Sequence, residues 1–190
     1  MKKYGNLGML RRKLGRRLFK HSLGVAGMAY RLATAYGVDE KAAVKAGIWH
    51  DYGKAFTPEE LREKARAMNL EIDEITRCSP PLLHAPVGAA LLEQEVGLKD
   101  KRILRAIKYH TTGAAELNSL EKIIYLADAI EVGRKYPGVR SLRRLAMKDA
   151  EAALRVVVDN SLQMVLQKGD LLHPDSIAFR NELLMTSRRE

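Results

Sequence analysis

Residues 46–54, AGIWHDYGK, join the end of an Ala-rich helical stretch to the adjacent pair His50-Asp51. The neighbours Trp49 and Tyr52 are large aromatic residues, so folding is expected to bury the Asp51 carboxylate between them. A buried carboxylate is costly unless it is paired or coordinates a metal ion. The stretch therefore predicts a helix that ends at a buried His-Asp pair.

Helical periodicity extends outward from this stretch over most of the chain. Apolar residues repeat at helical spacing before Gly37, and Asp39 is a good N-cap for the helix that leads to His50. No alternating strand pattern, hairpin dipeptide, internal repeat or low-complexity linker occurs. The sequence predicts an all-α fold with a single domain over residues 1–190, in which residues 1–16 form a basic N-terminal extension or helix. The predicted helices are one that ends at 37 and those over 40–49, 59–68, 85–95, 100–108, 120–132, 148–168 and 176–185.

The composition is that of an ordinary globular protein. The 190 residues are 46% hydrophobic and 29% charged, and no apolar run approaches the ~18 residues of a membrane span. The single cysteine, Cys78, excludes an intramolecular disulfide and a Cys-rich zinc module, and it fits a reducing cytoplasm. We therefore expect a cytoplasmic protein with no membrane partner.

The net charge of +10 is concentrated at the start of the chain. Residues 1–20 contain eight Lys and Arg and no acidic residue, whereas the other 170 residues carry 25 basic and 23 acidic side chains. This segment lacks the continuous apolar region of a secretory signal and runs directly into His21. Its charge suggests a basic RNA- or ribosome-associated binding module. The near-neutral remainder, the 6% aromatic content and the lack of a nucleic-acid motif argue against nucleic acid as a partner.

Histidines and aspartates provide a second candidate site. Asp128, like Asp51, lies among apolar neighbours, so the two carboxylates and the histidines of the chain can converge on metal. Such ligands suit iron, zinc, manganese or cobalt, and six of them exceed what one catalytic metal takes, so two metals sharing Asp51 is the natural count. The alternative is a set of satisfied core histidines and helix caps, since no local His-x-x-x-His spacing occurs. The candidate metal ligands are His21, His50, Asp51, His84, His110 and Asp128.

A resemblance to known proteins narrows these alternatives. The early His, the His-Asp pair and the later Asp resemble the HD superfamily of metal-dependent phosphohydrolases. Six segments in order resemble the YqeK family of symmetrical diadenosine tetraphosphate hydrolases. These segments are HSLGVAGMAYRLA (21–33), AGIWHDYGK (46–54), LLHAPVGA (82–89), AIKYHTTG (106–113), LEKIIYLADAIEVGR (120–134) and LHPDS (172–176). The resemblance implies an HD-domain helical bundle around a dinuclear site with two iron ions, for which manganese, zinc or cobalt are alternatives, and cleavage of the substrate to two ADP.

The family pattern also implies residue roles. It implies that one metal is bound by His21, His50, Asp51 and Asp128. The second is bound by His84 and His110, with Asp51 as the bridging ligand. Asp51 and Lys54 are the expected catalytic residues. The residues expected to bind the nucleotide are Lys54, Thr111, Thr112, Arg134, His173 and Ser176. In the family, an Arg commonly lies three residues before the first His. This chain has Leu18 at that position, and its Arg17 lies one residue earlier.

Physical chemistry supports such roles without fixing the substrate. Two metals can lower the pKa of a bridging water towards ~7 and coordinate phosphate oxygens, so that a metal-bridging hydroxide attacks a phosphoanhydride. Lys54 and Arg134 can hold phosphates, the latter a more distal one. The same metal ligands would serve an HD phosphohydrolase of another nucleotide, such as a deoxynucleotide or a guanosine alarmone. We also consider that the chain forms a homodimer.

Overall fold

The computed structural model describes residues 6–187, which form helices and loops with no strand in that range. The all-α prediction is confirmed. Short 3₁₀ helices lie at Tyr52–Ala55 and Pro80–Leu82. The α-helices of the described part are α1 (Leu7–Tyr36), α2 (Glu40–Trp49), α3 (Pro58–Ala67), α4 (Glu74–Cys78), α5 (His84–Glu95), α6 (Lys101–Tyr109), α7 (Ser119–Ile130), α8 (Val139–Ala146), α9 (Ala150–Lys168) and α10 (Pro174–Ser187).

Helix α1 includes most of the predicted basic N-terminal segment. It begins where the Asn6 side chain accepts a hydrogen bond from the Met9 N–H, 2.9 Å away. Gly15 interrupts it with φ 71° and ψ 173°, and Gly37 ends it in the left-handed conformation that glycine favours. Residues 7–16 of the predicted extension therefore belong to α1, and residues 1–5 lie outside the described residues.

Polar side chains determine where the other helices start. Asp39 caps α2 at 3.0 Å from the Ala42 N–H, as its place in the sequence predicts. Reciprocal capping boxes begin α3 and α7, the latter between Asn118 and Glu121. Asp149 caps α9, so this helix starts at Ala150 and the prediction of a start at 148 was two residues early.

Three features of the helical part differ from the sequence prediction. Helix α7 ends at Ile130 and not at 132, because Glu131 leaves the helical conformation with φ −53° and ψ 159°. The prediction also missed α4 and α8, which are short. Helix α8 is amphipathic, with Val139, Leu142 and Ala146 buried, and it directly follows Pro137 and Gly138, residues typical of turns.

Small residues allow the helices that carry the candidate metal ligands to pack closely. Helix α1 lies against α2 and α7, and α6 lies against α2, α5 and α7. The α1–α2 contact is lined by buried alanines of both helices, and Gly47 of α2 faces the backbone of Ala26. This close approach brings the middle of α1 next to the end of α2, where His50 lies. None of the helices within residues 6–187 combines the length and apolar character required to cross a membrane.

We expect Gly47→Ala to lower the free energy of unfolding by about 1–3 kcal/mol, the usual cost of overpacking. An added Cβ would lie 2.8 Å from the Ala26 Cα and 2.9 Å from its N, and backbone atoms cannot move aside cheaply. Urea denaturation measures the effect. Gly27→Ala, whose Cβ meets no atom within 4 Å, is the control and should keep or raise stability. Equal stability of the two variants would contradict the close helix contact.

Candidate metal centre

The Asp51 carboxylate lies at the centre of four histidine rings. Its Oδ2 is 3.7 Å from the His21 Nε2 and 3.4 Å from the His50 Nε2. Its Oδ1 is 3.5 Å from the Nε2 atoms of both His84 and His110. Asp51 itself is completely buried. One carboxylate therefore faces two separate pairs of imidazoles, one on each oxygen.

Asp128 joins the pair formed by His21 and His50. Its Oδ1 lies 3.0 Å from the His21 Nε2 and 3.9 Å from the His50 Nε2. The structure thus brings together all six residues that the sequence singled out as candidate ligands. Groups of three with ligand atoms within 4.8 Å of one another are His21, His50 and Asp51, then His50, His110 and Asp128, and finally Asp51, His84 and His110.

Three of the histidines lie at helix ends, and the local backbone fixes their rings in the same way. The Nδ1 atoms of His50, His84 and His110 lie 2.8, 2.5 and 2.7 Å from the carbonyl oxygens three residues earlier in the chain. A carbonyl oxygen only accepts hydrogen bonds, so each Nδ1 carries the proton. With a proton on Nδ1, each ring turns its Nε2 towards the Asp51 carboxylate, where that atom can serve as a metal ligand.

The cluster has fewer donors than lone pairs, which is the property of a cation site. The fully buried His50 Nε2 has no hydrogen-bond partner among the described residues. The Nε2 atoms of His84 and His110 are only 3.1 Å apart, with the Thr111 hydroxyl 3.3 and 3.1 Å away. Facing lone pairs repel each other unless a cation lies between them. Imidazole nitrogens and carboxylate oxygens without sulfur fit iron, zinc, manganese or cobalt.

The charges of the cluster shift the pKa values of its members. Burial alone raises the pKa of Asp51, but His50 and His110 outweigh it and hold the pKa far below its usual range. Burial alone lowers the pKa of His50, yet the Asp51 charge raises it overall. The carboxylate is therefore ionised and attracts positive charge to the centre of the cluster.

The two outer parts of the cluster are in the protonation states that metal binding requires. Burial, together with the nearby charge of Lys54, lowers the pKa of His84 to about 3, so its ring is neutral at pH 7. Burial opposes ionisation of Asp128 as well, but the His21 ring 3.0 Å away and the charge of Arg134 hold the pKa of this carboxyl well below its usual range.

Two cations line the open side of the cluster. The Lys54 Nζ lies 2.9 Å from the Asp51 carboxylate, and the Arg134 Nη2 lies 2.6 Å from the Asp128 Oδ1. About two fifths of each cationic side chain is exposed, at 37% and 40% respectively. The sequence predicts that Arg134 holds a distal phosphate. In the structure its guanidinium instead lies next to the candidate metal ligand Asp128. Because α7 ends at Ile130, the chain turns back and the guanidinium meets Asp128.

Of the other residues expected to bind nucleotide, Thr111 contacts the cluster, whereas Thr112, His173 and Ser176 make their hydrogen bonds outside it. The Ser176 hydroxyl donates to the Thr112 carbonyl at 2.8 Å, and the Thr112 hydroxyl donates to the Gly113 carbonyl at 2.9 Å. His173 is 9% exposed, and its Nε2 lies 3.2 Å from the Asp73 Oδ2. Ser176 therefore attaches the start of α10 to the loop after α6. His173 is a buried residue held by Asp73, and it reaches solvent only at a cavity.

That cavity has a volume of about 1190 Å³. Several residues of its wall adjoin candidate metal ligands in the sequence. Leu83 and Tyr109 in its wall directly precede the ligands His84 and His110, and Thr112 follows Thr111. The side chains of the six candidate metal ligands do not line it. The other charged and polar lining residues include Arg62, Arg66, Asn69, Glu71, Asp73, Arg77, Lys108, His173 and Asp175.

Sequence reasoning missed one buried acid of the site, Glu131. It lies just beyond α7, three residues after Asp128, and its Oε1 is 3.3 Å from the His21 Nδ1. Its position directly after the apolar helix end was the only signal for it in the sequence. Arg143 of α8 donates to the carbonyls of Ile130, Glu131 and Arg134 and so fixes this turn.

Comparison with known proteins agrees with this geometry. The family model of the HD domain matches residues 18–133. Symmetrical bis(5'-nucleosyl)-tetraphosphatases of Halalkalibacterium halodurans and Bacillus subtilis are 39% and 38% identical to the chain. The first match covers 90% of this chain and 90% of that protein, and the second covers 95% and 97%.

A solved structure extends the likeness to three dimensions. It is described as a predicted HD superfamily hydrolase involved in NAD metabolism, from Clostridium acetobutylicum. It is 38% identical to this chain, has a TM-score of 0.91 and covers 95% of both chains. The chain belongs to the HD-domain family, in the YqeK-like group whose relatives are named symmetrical bis(5'-nucleosyl)-tetraphosphatases.

Proposed function

We propose that the chain is a metal-dependent hydrolase that cleaves diadenosine tetraphosphate symmetrically to two ADP. The observation that carries this proposal is the buried Asp51 carboxylate between two pairs of imidazoles, a ligand set for two metal ions. The relatives that match nearly the whole chain bear the name of this activity. We further propose iron as the metal, with manganese, zinc or cobalt as the alternatives of the same ligand chemistry.

The ligand set divides between two positions. His21, His50, Asp51 and Asp128 would hold one ion, and Asp51 with His84 and His110 would hold the other. When bound, two such ions supply a water nucleophile at neutral pH and neutralise charge on phosphate oxygens. We assign to Asp51 the role of the shared ligand, on which both positions depend.

The reaction consumes one water molecule. Its oxygen bonds to one of the two inner phosphorus atoms, the central P–O–P bridge breaks, and each half leaves as ADP. The substrate carries about four negative charges, so cations at the open side of the site favour its approach. Lys54 and Arg134 hold such charges next to Asp51 and Asp128, and we propose that they bind the inner phosphates.

We propose the cavity beside His84 and His110 as the place for one nucleoside half. Its volume of about 1190 Å³ exceeds what a mononucleotide requires, since drug-sized ligands occupy pockets of roughly 300–1,000 Å³. Thr112 and His173 in its wall, and Ser176 behind it, are the residues that the sequence assigned to nucleotide binding. Arg66, Arg77 and Lys108 add positive charge to its wall.

The cellular setting follows from the substrate. A nucleotide hydrolase with one exposed free cysteine, Cys78, suits the cytoplasm, which we propose as its location. The homodimer stays a prediction, which sedimentation of the purified chain can test.

Product analysis tests the activity directly. Purified protein loaded with Fe²⁺ or Mn²⁺ should convert diadenosine tetraphosphate to ADP as the only nucleotide product, as chromatography of the reaction can show. AMP together with ATP would instead indicate asymmetric cleavage. Turnover of a deoxynucleotide or a guanosine alarmone in place of this substrate would move the chain to another phosphohydrolase activity.

Asp51→Asn should remove both metal ions and lower turnover by at least about 1000-fold, since metal charge stabilisation is worth several kcal/mol. His84→Ala should lose only one ion, because it belongs to a single position. Metal analysis of the purified variants separates these outcomes. Asp100→Asn, which keeps an amide cap at the start of α6, is the control and should retain both ions.

Arg134→Ala should raise KM by about 10–100-fold, the value of a charged hydrogen bond of about 1.5–3 kcal/mol, while metal content stays at the wild-type level. Steady-state kinetics and metal analysis of the same sample check both parts. Arg140→Ala, which removes an exposed cation from α8, should leave KM unchanged. Loss of metal in the Arg134 variant would assign that residue to the metal centre and not to the substrate.

A further inference from the structure

His21 differs from the other histidines of the cluster in where it lies. It is in the middle of α1, where the carbonyls that precede it accept the hydrogen bonds of the helix. The rings of His50, His84 and His110 each have a carbonyl three residues back for their Nδ1. His21 therefore needs an acceptor from another part of the chain, and the Glu131 Oε1 lies 3.3 Å from its Nδ1.

The Glu131 carboxylate is enclosed and has little room to move. It is 4% exposed, and its Oε2 accepts a hydrogen bond from the Gly133 N–H at 2.5 Å. A Cβ on Gly133 would lie 2.8 Å from Oε1, and a Cβ on Gly24 of α1 would overlap Oε2. Two glycines thus leave the space that the carboxylate fills, and α1 carries one of them three residues after His21.

We propose that Glu131 is the positioning residue for His21. Both of its oxygens face N–H donors, one on the His21 ring and one on the Gly133 backbone. The contact holds a proton on the His21 Nδ1, which leaves Nε2 free to bind a metal ion beside Asp51 and Asp128. A carboxylate acceptor also increases the basicity of an imidazole ligand more than a carbonyl does. The proposal rests on the metal-dependent function proposed above.

The effect of Glu131 is confined to one half of the cluster. His21 shares a ligand group with His50 and Asp51, whereas the group of Asp51, His84 and His110 does not contain it. No hydrogen bond or ion pair of the described residues joins Glu131 to His84 or His110. Its loss should therefore weaken one metal position and leave the other at its original affinity.

Glu131→Gln tests this with almost no change of shape. The amide has one oxygen for two N–H donors, so one donor must face its NH₂ group. Titration of the metal-free protein with Co²⁺, followed by its visible absorption, should show one site weakened about 10–100-fold and one unchanged. Glu121→Gln is the matched control, since Glu121 is equally buried in α7 but belongs to its N-terminal capping box. Its titration should match that of the wild type.

A second variant reaches the carboxylate from the other side. Gly24→Ala should displace Glu131 and weaken the same metal position without changing any acid or ligand. Unlike at Gly47, the atom that the new Cβ meets is the far end of a side chain and not backbone, so this variant should fold even if Glu131→Gln does not. Gly27→Ala, one turn further along α1 with no atom near its Cβ, should leave both metal positions unchanged.

A double-mutant comparison separates positioning from a general structural role. In a His21→Ala background, Glu131→Gln should weaken metal binding no further, because the ring on which it acts is gone. Additive losses, equal weakening of both positions, or a wild-type titration for Glu131→Gln would each overturn the proposal. If the wild-type chain itself bound fewer than two ions, the proposed function would fail first, and the titration would show this separately.

Discussion

The Asp51 carboxylate, buried among four imidazoles, is the constraint on which this structure depends. An ionised carboxylate without water is expensive unless positive charge lies on both of its oxygens. Metal ions would supply that charge, and the histidine rings can offer their Nε2 lone pairs to such ions only when the Nδ1 protons point away from Asp51. Three carbonyls and one glutamate hold these protons, so the site is fixed by contacts that lie behind the rings.

This requirement explains much of the helix arrangement. His50 and His110 each follow the last residue of a helix and His84 begins one, positions at which a carbonyl is free for the ring. Of the four histidines, only His21 lies in the middle of a helix. Its Nδ1 faces the Glu131 carboxylate, for which Gly24 of α1 leaves space. The close packing of α1 on α2 then places the two halves of the cluster within reach of one carboxylate.

The partly exposed cations of the site lie on its open side. Asp51, His50 and His110 are hidden, whereas Lys54 and Arg134 keep about two fifths of their side chains exposed beside the carboxylates. A polyphosphate approaching from that side meets cations first and the ligand cluster behind them. The cavity is lined by Leu83 and Tyr109, the chain neighbours of His84 and His110.

Local sequence determined the helices with clear caps, the burial of Asp51 between Trp49 and Tyr52, and the residue types of a metal site. The order of the His and Asp residues identified the family. Tertiary structure alone decided that Glu131 supports His21 and that Arg134 turns back onto Asp128. Both depend on the end of α7 at Ile130, which Arg143 fixes from another helix. Contacts between residues 110 positions apart leave no periodic trace in a sequence, because they are set by how helices pack and not by local spacing.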